Sequence, residues 1–502
     1  KVMVESSSPN TNKPLHLGHI RNILLGWSCS QILEAVGFEV VKTQIINDRG
    51  VAICKSMLSW KKWGEGKTPE STGIKPDHFV GDWYVLFEQK SKAEYDAWQQ
   101  TDEAKHIFET KKKANQTEKE FFKEYKNKWS NEHSTLGAEV REMLLKWEAH
   151  DPDTLALWKK MNGWVYDGFE QTYNDLGVSF DKLYHESETY LLGKDIVEEG
   201  LAKNVFFKKD DGSVWVDWTD IGQDQKVVLR ADGTSVYITQ DLGTAQMRHK
   251  ELGCERYVYV VADEQNYHFQ VLFEVLKRLG EPYAAGLHHL SYGLVELPTG
   301  RMKTREGTVV DADDLIAEVI RLATEQSSER GEIEGVSAAE REENLRRVGM
   351  GALKFFIVKV HPKKKMIFNP EESVDLQGQT GPYIQYSYDR INGLMQRVEI
   401  EKVDLSKAGN YTDIQPQEKE LLVALHDYPN VVLKAADEYD PSLIANFCYD
   451  LAKKYHRFWH DLSIFNADTA EAKAFRLTLS RSVGQVLKSG MGLLGVEMPE
   501  RM

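Results

Sequence analysis

The order of apolar and polar positions at the start of the chain predicts a strand, a loop and a helix. Val2 and Val4 form a short β-branched run, which a segment rich in Ser, Pro and Asn interrupts at residues 6–10. Apolar residues then recur three and four positions apart over residues 20–27, a spacing that places them on one face of a helix. Residues 38–46 are again β-rich and end in a polar turn. Strand, helix and strand in this order form a βαβ unit, whose crossover implies a parallel sheet.

The same alternation predicts a second half of this kind further along the chain. Residues 257–262 form a continuous apolar run followed by a helical pattern, and a strand is expected near residues 292–297. Between the halves, residues 205–207, 214–218 and 226–230 are short β-rich runs separated by Asp-Gly turns, which favour hairpins. The fold class predicted from these patterns is α/β, with a doubly wound parallel sheet.

Two regions depart from the strand–helix alternation and are predicted to be helical. Residues of roughly 60–180 are rich in Lys, Glu and Trp with alternating charges, which indicates a solvated helical insertion whose Trp residues form a core. Beyond Val309 nearly every apolar pattern is helical, and a Gly-Pro pair at residues 381–382 begins another helix. We therefore expect one domain over residues 1–380 and an all-α helical bundle over residues 381–502.

Composition narrows the class of protein. Of the 502 residues, 41% are hydrophobic and 28% are charged, as in an ordinary globular protein, and no apolar run has the length of a membrane span. The net charge of −15 argues against indiscriminate nucleic-acid binding, although it leaves room for a local basic patch. The four cysteines lie far apart without metal-like spacing, which predicts reduced thiols, a cytoplasmic protein and no zinc site.

His16 and His19 are the candidate functional residues at the start of the first helix. They lie three positions apart, so both rings can share a face, and the unpaired N–H groups of a helix start suit a phosphate. Gly18 between them would let a ligand approach the backbone closely. Paired histidines at this position could equally do no more than cap the helix. The segments that follow the first two strands should emerge at the same edge of the sheet.

Several motifs resemble those of the class I aminoacyl-tRNA synthetases, and specifically the arginyl-tRNA synthetase family. HLGH at residues 16–19 matches the HIGH signature of the class, its lead-in ESSSPNTNKP covers residues 5–14, and MKTREG at residues 302–307 stands where the class has KMSKS. YITQD at 237–241, QNYH at 265–268 and GPYIQY at 381–386 are similar to further family motifs. The resemblance extends from residue 2 to the C-terminus. It implies a Rossmann-like catalytic domain with its signature loop at 299–308, followed by an anticodon-binding bundle.

Two departures from the family pattern carry expectations of their own. Family members usually have an additional N-terminal domain that binds the tRNA elbow, and this sequence lacks a corresponding segment. The loop at 302–307 also lacks the second lysine of the class, because Arg305 precedes an acidic residue there. In the family a lysine before the HIGH motif is thought to compensate, and Lys13 occupies that position. Without the resemblance, Lys13 would be interpreted as a solvated loop charge.

The resemblance implies an arginine–tRNA ligase, which activates L-arginine with ATP and then transfers the arginyl group to tRNA(Arg). Mg²⁺ is expected to arrive with ATP rather than in a protein cage. The implied catalytic residues are Lys13, His16, His19, Lys303 and Arg305. The implied ATP-binding residues are His16, Gly18, His19, His268, Met302 and Lys303. The implied arginine-binding residues are Glu5, Ser8, Asn10, Tyr237, Asp241 and Gln265.

Two of the arginine-pocket assignments, Asp241 and Tyr237, compete with ordinary structural roles. A planar guanidinium favours a carboxylate partner, which suits Asp241 and Glu5. Asp241 could instead be an acid at a helix start, and Tyr237 a core aromatic. His268 could belong to the adenine site or serve only the fold.

In the helical bundle, aromatic and cationic side chains suited to stacking on unpaired bases suggest tRNA contacts. These candidates are Tyr386, Arg390, Tyr455, Arg457 and Trp459. Most aromatic residues of helices are core residues, so only some of the five are expected to contact tRNA. The protein is expected to be a monomer with no membrane partner.

Two rival functions remain at this point. A nucleotidylyltransferase could use a similar His-x-Gly-His helix start without tRNA, but the helical C-terminal third would then have no explanation. A non-catalytic tRNA-binding paralogue should have lost the phosphate-binding groups, whereas His16, His19 and Lys13 are all present.

Overall fold

A parallel five-stranded sheet forms the centre of the N-terminal part of the protein. The computed structural model describes residues 1–222, 224–299, 310–328 and 335–502. The strands are β1 Val2–Glu5, β2 Val40–Ile46, β3 Lys182–His185, β4 Phe206–Lys208, β5 Val214–Val216, β6 Lys226–Leu229, β7 Arg256–Ala262, β8 Leu287–Tyr292, β9 Val295–Glu296 and β10 Met366–Ile367. The sheet has the order β3-β2-β1-β7-β8, and every neighbouring pair is parallel.

The strand order places a topological switch point beside β1. The chain runs outward from β1 to β2 and β3 on one side, and β7 and β8 add on the other side. In open α/β sheets the crevice at the carboxyl ends of such strands is where ligands bind. The predicted α/β class with a doubly wound parallel sheet is confirmed, and so is the first βαβ unit.

Helices account for most of the remaining described residues. Those before the helical bundle are α1 Leu17–Ala35, α2 Val51–Trp63, α3 Pro69–Thr72, α4 Pro76–Trp98, α5 Asp102–Lys111, α6 Glu118–Glu132, α7 Thr135–Glu148, α8 Pro152–Leu176, α9 Glu186–Thr189, α10 Lys194–Ala202, α11 Tyr237–Leu252, α12 Asn266–Leu279, α13 Ala312–Ser328, α14 Ala338–Val358 and α15 Pro370–Ser373. The bundle helices are α16 Gly381–Ile400, α17 Pro416–Glu438, α18 Ser442–Asp461 and α19 Ala470–Leu493.

Side-chain alternation along β1 explains why helices cover both faces of the sheet. Val2 and Val4 are buried in the cluster that includes Ile20 and Leu24 of α1. Met3 points the other way, into a second cluster with residues of α11 and α12. Because both faces are buried, the first three residues of β1 are all apolar, as is usual for central parallel strands.

The region of the predicted helical insertion, roughly residues 60–180, contains α3 to α8 and is helical as expected, and part of it has a separate hydrophobic core. Tyr95 and Trp98 of α4 pack with Phe121, Phe122 and Trp129 in a cluster separate from the main core. Trp129 is completely buried. The expectation that the insertion's Trp residues form a core is confirmed for Trp98 and Trp129.

Two small sheets complete the β structure. The predicted hairpins form an antiparallel sheet of β4, β5 and β6. The strand expected near residues 292–297 is found, but the structure divides this region between two strands. The long strand here is β8, which ends at Tyr292, and only Val295 and Glu296 pair again, with β10.

The helical bundle packs directly against the first helix of the sheet domain. The C-terminal part of α1 contacts α17 and α19, and the Cys29 thiol lies 3.5 Å from the carbonyl oxygen of Tyr439, just after α17. Among the described residues, no helix is both long and apolar enough to cross a bilayer.

We predict that Trp129→Ala loosens the distal insertion without unfolding the sheet domain. Truncating a fully buried Trp costs about 3–5 kcal/mol, and Trp129 packs in the separate aromatic cluster. Hydrogen exchange should therefore accelerate in α5 and α6 while β1 and α1 keep their protection. Lys128→Ala, on the exposed side of the same helix, is the control. Equal loss of protection in β1 would contradict the separation of the two cores.

Candidate functional site

The loop that leaves β1 has an unusual backbone conformation at two adjacent serines. Ser7 and Ser8 have φ angles of 75° and 37°, in the left-handed region that non-glycine residues rarely adopt. Such residues cost on the order of 1–3 kcal/mol each and persist only where their surroundings hold them. The Ser7 N–H donates to Oδ1 of Asn22 over 2.6 Å, and the Ser7 hydroxyl lies 2.7 Å from the hydroxyl of Tyr173.

Asn22 ties this loop to the neighbouring strands. Its Nδ2 group donates to the carbonyl oxygen of Val260 in β7 over 2.8 Å and to the hydroxyl of Tyr292 at the end of β8 over 3.1 Å. One buried amide therefore links the ends of three strands. The sequence analysis assigned Asn22 no role, although its position three residues after His19 on the same helix face was a usable signal.

His16 and His19 form the start of α1 through their own rings. His16 is the N-cap, and its Nδ1 accepts from the Gly18 N–H over 3.1 Å. The Nδ1 of His19 accepts from the His16 N–H over 3.1 Å, which completes a capping box made of two histidines. Because both Nδ1 atoms accept hydrogen bonds, these partners assign the ring proton of each histidine to Nε2.

Burial keeps both imidazoles neutral. Loss of hydration, with the positive charge of Lys13 as a further cause, lowers the pKa of His16 to about 4. Burial also lowers the pKa of His19 well below its ordinary value, and His16 and Lys13 add to this effect. At neutral pH the pair therefore offers Nε2–H donors rather than positive charges.

A cavity of about 430 Å³ lies beside these rings at the carboxyl ends of β1, β7 and β8. Its walls include Ser7, Ser8, His16, Gly18, His19, Asn22, Ala262, Glu264, Tyr292 and Glu296. The structure thus brings together three of the predicted ATP-binding residues, namely His16, Gly18 and His19. The predicted residues Met302, Lys303 and Arg305 lie outside the described residues. Capping and cavity lining coexist at His16, so the two interpretations of the histidine pair do not exclude one another.

Lys13 lies on the other side of His16. It lines a second cavity of about 190 Å³ together with His16, His78 and Asp311. Its charge acts on both signature histidines, as their lowered pKa values indicate. Lys13 is therefore close to the histidine pair, and it is only partly exposed rather than projecting into solvent.

Tyr237 and Asp241 lie on one face of α11. The helix begins at Tyr237, so the two residues are four positions apart and their side chains are neighbours. Asp241 is in the second turn, and the first turn contains no acid, so the alternative of a helix-start acid is wrong. Tyr237 is 76% exposed, which also rules out the core-aromatic alternative.

His268 belongs with Asp241 rather than with the predicted ATP residues. Its Nε2 lies 2.6 Å from Oδ2 of Asp241, and it does not line the 430 Å³ cavity. The contact of His268 with ATP stays a prediction, and in the structure its ring lies beside Asp241. The physical reason is that α12 begins at Asn266, so His268 in its first turn faces α11.

Glu5 is already paired with a cation of the chain. Its carboxylate forms an ion pair with Arg248, whose guanidinium lies 4.7 Å from the centre of the Tyr184 ring. Burial raises the pKa of Glu5, while Arg248 opposes that shift. The side chain of Glu5 is 7% exposed, whereas that of Asp241 is 45% exposed. The prediction that Glu5 binds the substrate guanidinium is therefore not supported, and Asp241 is the accessible carboxylate.

The remaining arginine-binding candidates lie at strand ends. Asn10 is exposed and forms a backbone bridge with Asn47 beyond β2, and Ser8 lines the 430 Å³ cavity. Gln265 ends a single 3-10 turn that follows β7 and is exposed. All three are therefore near the carboxyl edge of the sheet, as expected from the βαβ pattern.

Three of the five predicted tRNA contacts form one surface group on α16 and α18. The Arg390 guanidinium lies 4.6 Å from the ring centre of Tyr386 and 5.6 Å from that of Trp459. Arg457 is exposed on α18 beside Glu420 and Asp461. Tyr455 is only 1% exposed because it faces the core of the bundle, so the prediction that it contacts tRNA is wrong.

Family models and similar proteins both assign this chain to the same family. Residues 1–96 and 74–369 match the model of the catalytic domain of class I tRNA synthetases (R), and residues 384–502 match the DALR anticodon-binding domain. An arginine–tRNA ligase of Parabacteroides distasonis is 52% identical over 502 residues, which cover all of this chain and 80% of the relative. One of Porphyromonas gingivalis is 51% identical over the same shares of both chains.

Solved structures share the fold. The arginyl-tRNA synthetase of Thermus thermophilus superposes with a TM-score of 0.74 at 24% identity, covering all of this chain and 82% of that one. That of Plasmodium falciparum gives 0.76 at 18% identity, with 100% and 77% coverage. At these identities the likeness shows the fold alone.

We predict that His16 titrates near pH 4 and carries its proton on Nε2 at pH 7. Its folded-state pKa of about 4 lies below the ordinary value of 6.5, so the unfolded chain binds the proton first. The contribution of His16 to the free energy of unfolding is thus complete above about pH 6.5 and is lost as the pH falls toward 4. ¹⁵N NMR of histidine-labelled protein measures the pKa of His16 and shows which ring nitrogen carries its proton. The spectrum of His16→Gln assigns the signal. A midpoint between pH 6 and 7 would contradict the buried, neutral ring.

Proposed function

The chain belongs to the class I arginyl-tRNA synthetases and is an arginine–tRNA ligase, and we propose that the cavity beside His16 and His19 is where it activates arginine with ATP. The observation that carries this proposal is the pair of histidines that line a cavity at the sheet's switch point while their Nδ1 atoms accept backbone hydrogen bonds, which leaves each Nε2–H as a donor. The anticodon-domain match leaves no room for a nucleotidylyltransferase without tRNA. Relatives above 50% identity that are named as ligases disfavour a non-catalytic paralogue.

The reaction proceeds in two steps. A carboxylate oxygen of L-arginine attacks the α-phosphorus of ATP, the bond to the bridging oxygen breaks, and pyrophosphate leaves with that electron pair. A ribose hydroxyl of the tRNA terminus then attacks the arginyl carbonyl carbon, and AMP leaves. The first step needs positioning and stabilisation of moving negative charge more than covalent help from the protein.

Neutral histidines are well suited to the first step. Each Nε2–H can donate to a phosphate oxygen, and neither ring must lose or gain a proton as charge moves toward pyrophosphate. Their Nδ1 atoms are fixed by backbone N–H groups, so the donors are oriented before ATP binds. Preorganised donors aimed at developing charge are among the strongest contributions to catalysis.

Lys13 supplies the positive charge that the histidines lack. It lines the cavity on the far side of His16. We propose that it stabilises the leaving phosphates, together with Lys303 and Arg305 of the signature loop. Glu264 and Glu296 line the 430 Å³ cavity, and their carboxylates are suited to contact the Mg²⁺ that ATP brings.

Arginine recognition is proposed to rest on Asp241 and Tyr237. Asp241 is accessible, and its contact with His268 orients one oxygen while the other remains for a guanidinium. Tyr237 on the same helix face supplies an exposed ring. Ser8, Asn10 and Gln265 at the strand ends are suited to the amino and carboxylate groups of the substrate.

The proposed division of the chain into two domains follows from the order of its helices and strands. We propose a catalytic domain over residues 1–380, with its insertion at roughly 60–180 and signature loop at 299–308, and an anticodon-binding domain over residues 381–502. The start of α16 at Gly381 supports that boundary. We further propose that the enzyme acts as a cytoplasmic monomer, and that the group Tyr386, Arg390 and Trp459 contacts tRNA(Arg).

We predict that Asp241→Asn raises the KM for arginine about tenfold to a hundredfold and leaves the KM for ATP within twofold. The substitution keeps the side-chain shape but removes the charge, and a hydrogen bond to a charged group contributes about 1.5–3 kcal/mol. Steady-state charging of tRNA at varied arginine and ATP measures both constants. Asp210→Asn, an exposed acid beyond β4, is the matched control. Equal increases in the two KM values would refute the assignment of Asp241 to the guanidinium.

We also predict that Arg390→Ala raises the KM for tRNA about tenfold, because one stacked base contributes about 1–3 kcal/mol. The KM values for arginine and ATP should not change, since Arg390 lies in the bundle. Arg397→Ala on the same helix, where Arg397 pairs with Glu401 at 2.5 Å, is the control. An unchanged KM for tRNA with Arg390→Ala would remove the group from the tRNA interface.

A further inference from the structure

A charged cluster joins the insertion to the helix that follows the signature loop. Nε2 of His78, in the first turn of α4, lies 3.1 Å from Oδ2 of Asp311 and 2.8 Å from Oδ2 of Asp313. Lys75 Nζ, just before α4, lies 2.6 Å from the same Asp313 oxygen and 2.6 Å from the hydroxyl of Thr172 in α8. None of these groups takes part in the mechanism above.

The cluster is a completed ion network rather than an empty metal site. Asp77, His78 and Asp313 form the single group among the described residues whose atoms are close enough to share an ion. The Lys75 ammonium already contacts Asp77 and Asp313. Hydrogen bonds that His78 donates to Asp311 and Asp313 raise the pKa of His78 to about 10, so its ring stays cationic at neutral pH. Two cations thus face three carboxylates.

Asp311 connects this network to residues 15–17, at the start of α1. The Leu17 N–H donates to the carbonyl oxygen of Val310 over 3.2 Å, and the Ala312 N–H donates to that of Leu15 over 2.9 Å. These two hydrogen bonds flank a backbone bridge between His16 and Asp311. The position of Asp311 therefore fixes the backbone on both sides of His16.

Close packing reinforces the same connection. A Cβ atom on Gly81, one turn after His78 in α4, would lie 2.7 Å from Cδ of Pro14. Helix α4 is therefore in direct contact with the backbone between Lys13 and His16. Lys13, His16, His78 and Asp311 also line one cavity.

We propose that His78 is a positioning residue for arginine activation: through Asp311 it holds residues 310–312 against residues 15–17 and so orients His16 and Lys13 toward ATP. The inference rests on the proposed roles of His16 and Lys13. Since Lys75 and His78 belong to the helical insertion, the proposal assigns the start of α4 a function in the chemical step. The acceptor that matters is the Oδ2 of Asp311, since its Oδ1 already accepts from the Asp313 N–H at the start of α13.

The test is steady-state charging of tRNA by His78→Phe, which keeps a ring but removes both donors, and by His78→Gln. Misplacement of catalytic donors by about 1 Å costs up to a hundredfold in rate. We expect kcat/KM for ATP to fall about tenfold to a hundredfold, with the KM for arginine within twofold of wild type. Asp311→Asn keeps the Oδ1 acceptor, should cause a similar loss, and should not add to His78→Phe in the double variant.

His133→Phe is the matched control, because His133 is another ion-paired histidine of the insertion but contacts Glu103 and Trp98. It should retain activity within twofold. Unchanged kcat/KM for ATP in a folded His78→Phe variant would overturn the proposal. The proposal would also be overturned if kcat/KM fell equally for ATP and for arginine, in proportion to the loss of thermal stability. If His78→Phe does not fold, Asp311→Asn decides by the same criteria, because His78→Gln keeps an N–H donor.

His16→Ala separates this inference from the proposed site. Loss of activity in His16→Ala with unaffected His78 variants would refute the role of His78 alone. Full activity in His16→Ala would refute the site itself.

Discussion

The hydrogen bond from the Ser7 N–H to the side chain of Asn22 is the contact on which the geometry of the site depends. It holds a left-handed backbone at two serines, which would otherwise relax to an extended conformation. The Asn22 amide also donates hydrogen bonds to β7 and to the end of β8. The loop after β1, the start of α1 and these two strands are therefore held together by one side chain. Because Asn22 and His19 belong to α1 and His16 is its N-cap, the same hydrogen bonds also fix the positions of the two histidines.

Charge is separated by burial across this edge of the sheet. Around His16 and His19, loss of hydration keeps two imidazoles neutral and leaves positive charge to Lys13. On the other side of β1, Glu5 is paired with Arg248, whereas Asp241 stays accessible. This separation of charge suits the proposed binding of a cationic amino acid and a polyanionic nucleotide close together.

Local sequence patterns predicted most of the helices and strands, whereas the arrangement of the site depends on contacts between residues far apart in sequence. The βαβ unit and the hairpins follow from periods and turn residues that lie within a few positions of each other. Most of strand β8 was missed because His288 and His289 interrupt its apolar pattern. The partner of Glu5 is 243 positions away in sequence, so no local signal identifies it. Tyr455 and Trp459 are four positions apart on one helix, and only the packing of α18 shows that the first faces the core and the second joins Arg390.

The separate aromatic core of the distal insertion makes that part of the molecule modular. The turn between α5 and α6 is exposed over residues 112–115, and Asn115 there adopts a left-handed conformation with φ of 62°. A sequence inserted into this turn would be supported by helices that pack around the separate aromatic cluster, not around the core of the sheet domain. The insertion thus provides an attachment point at which a reporter domain or an affinity tag can be placed inside the chain.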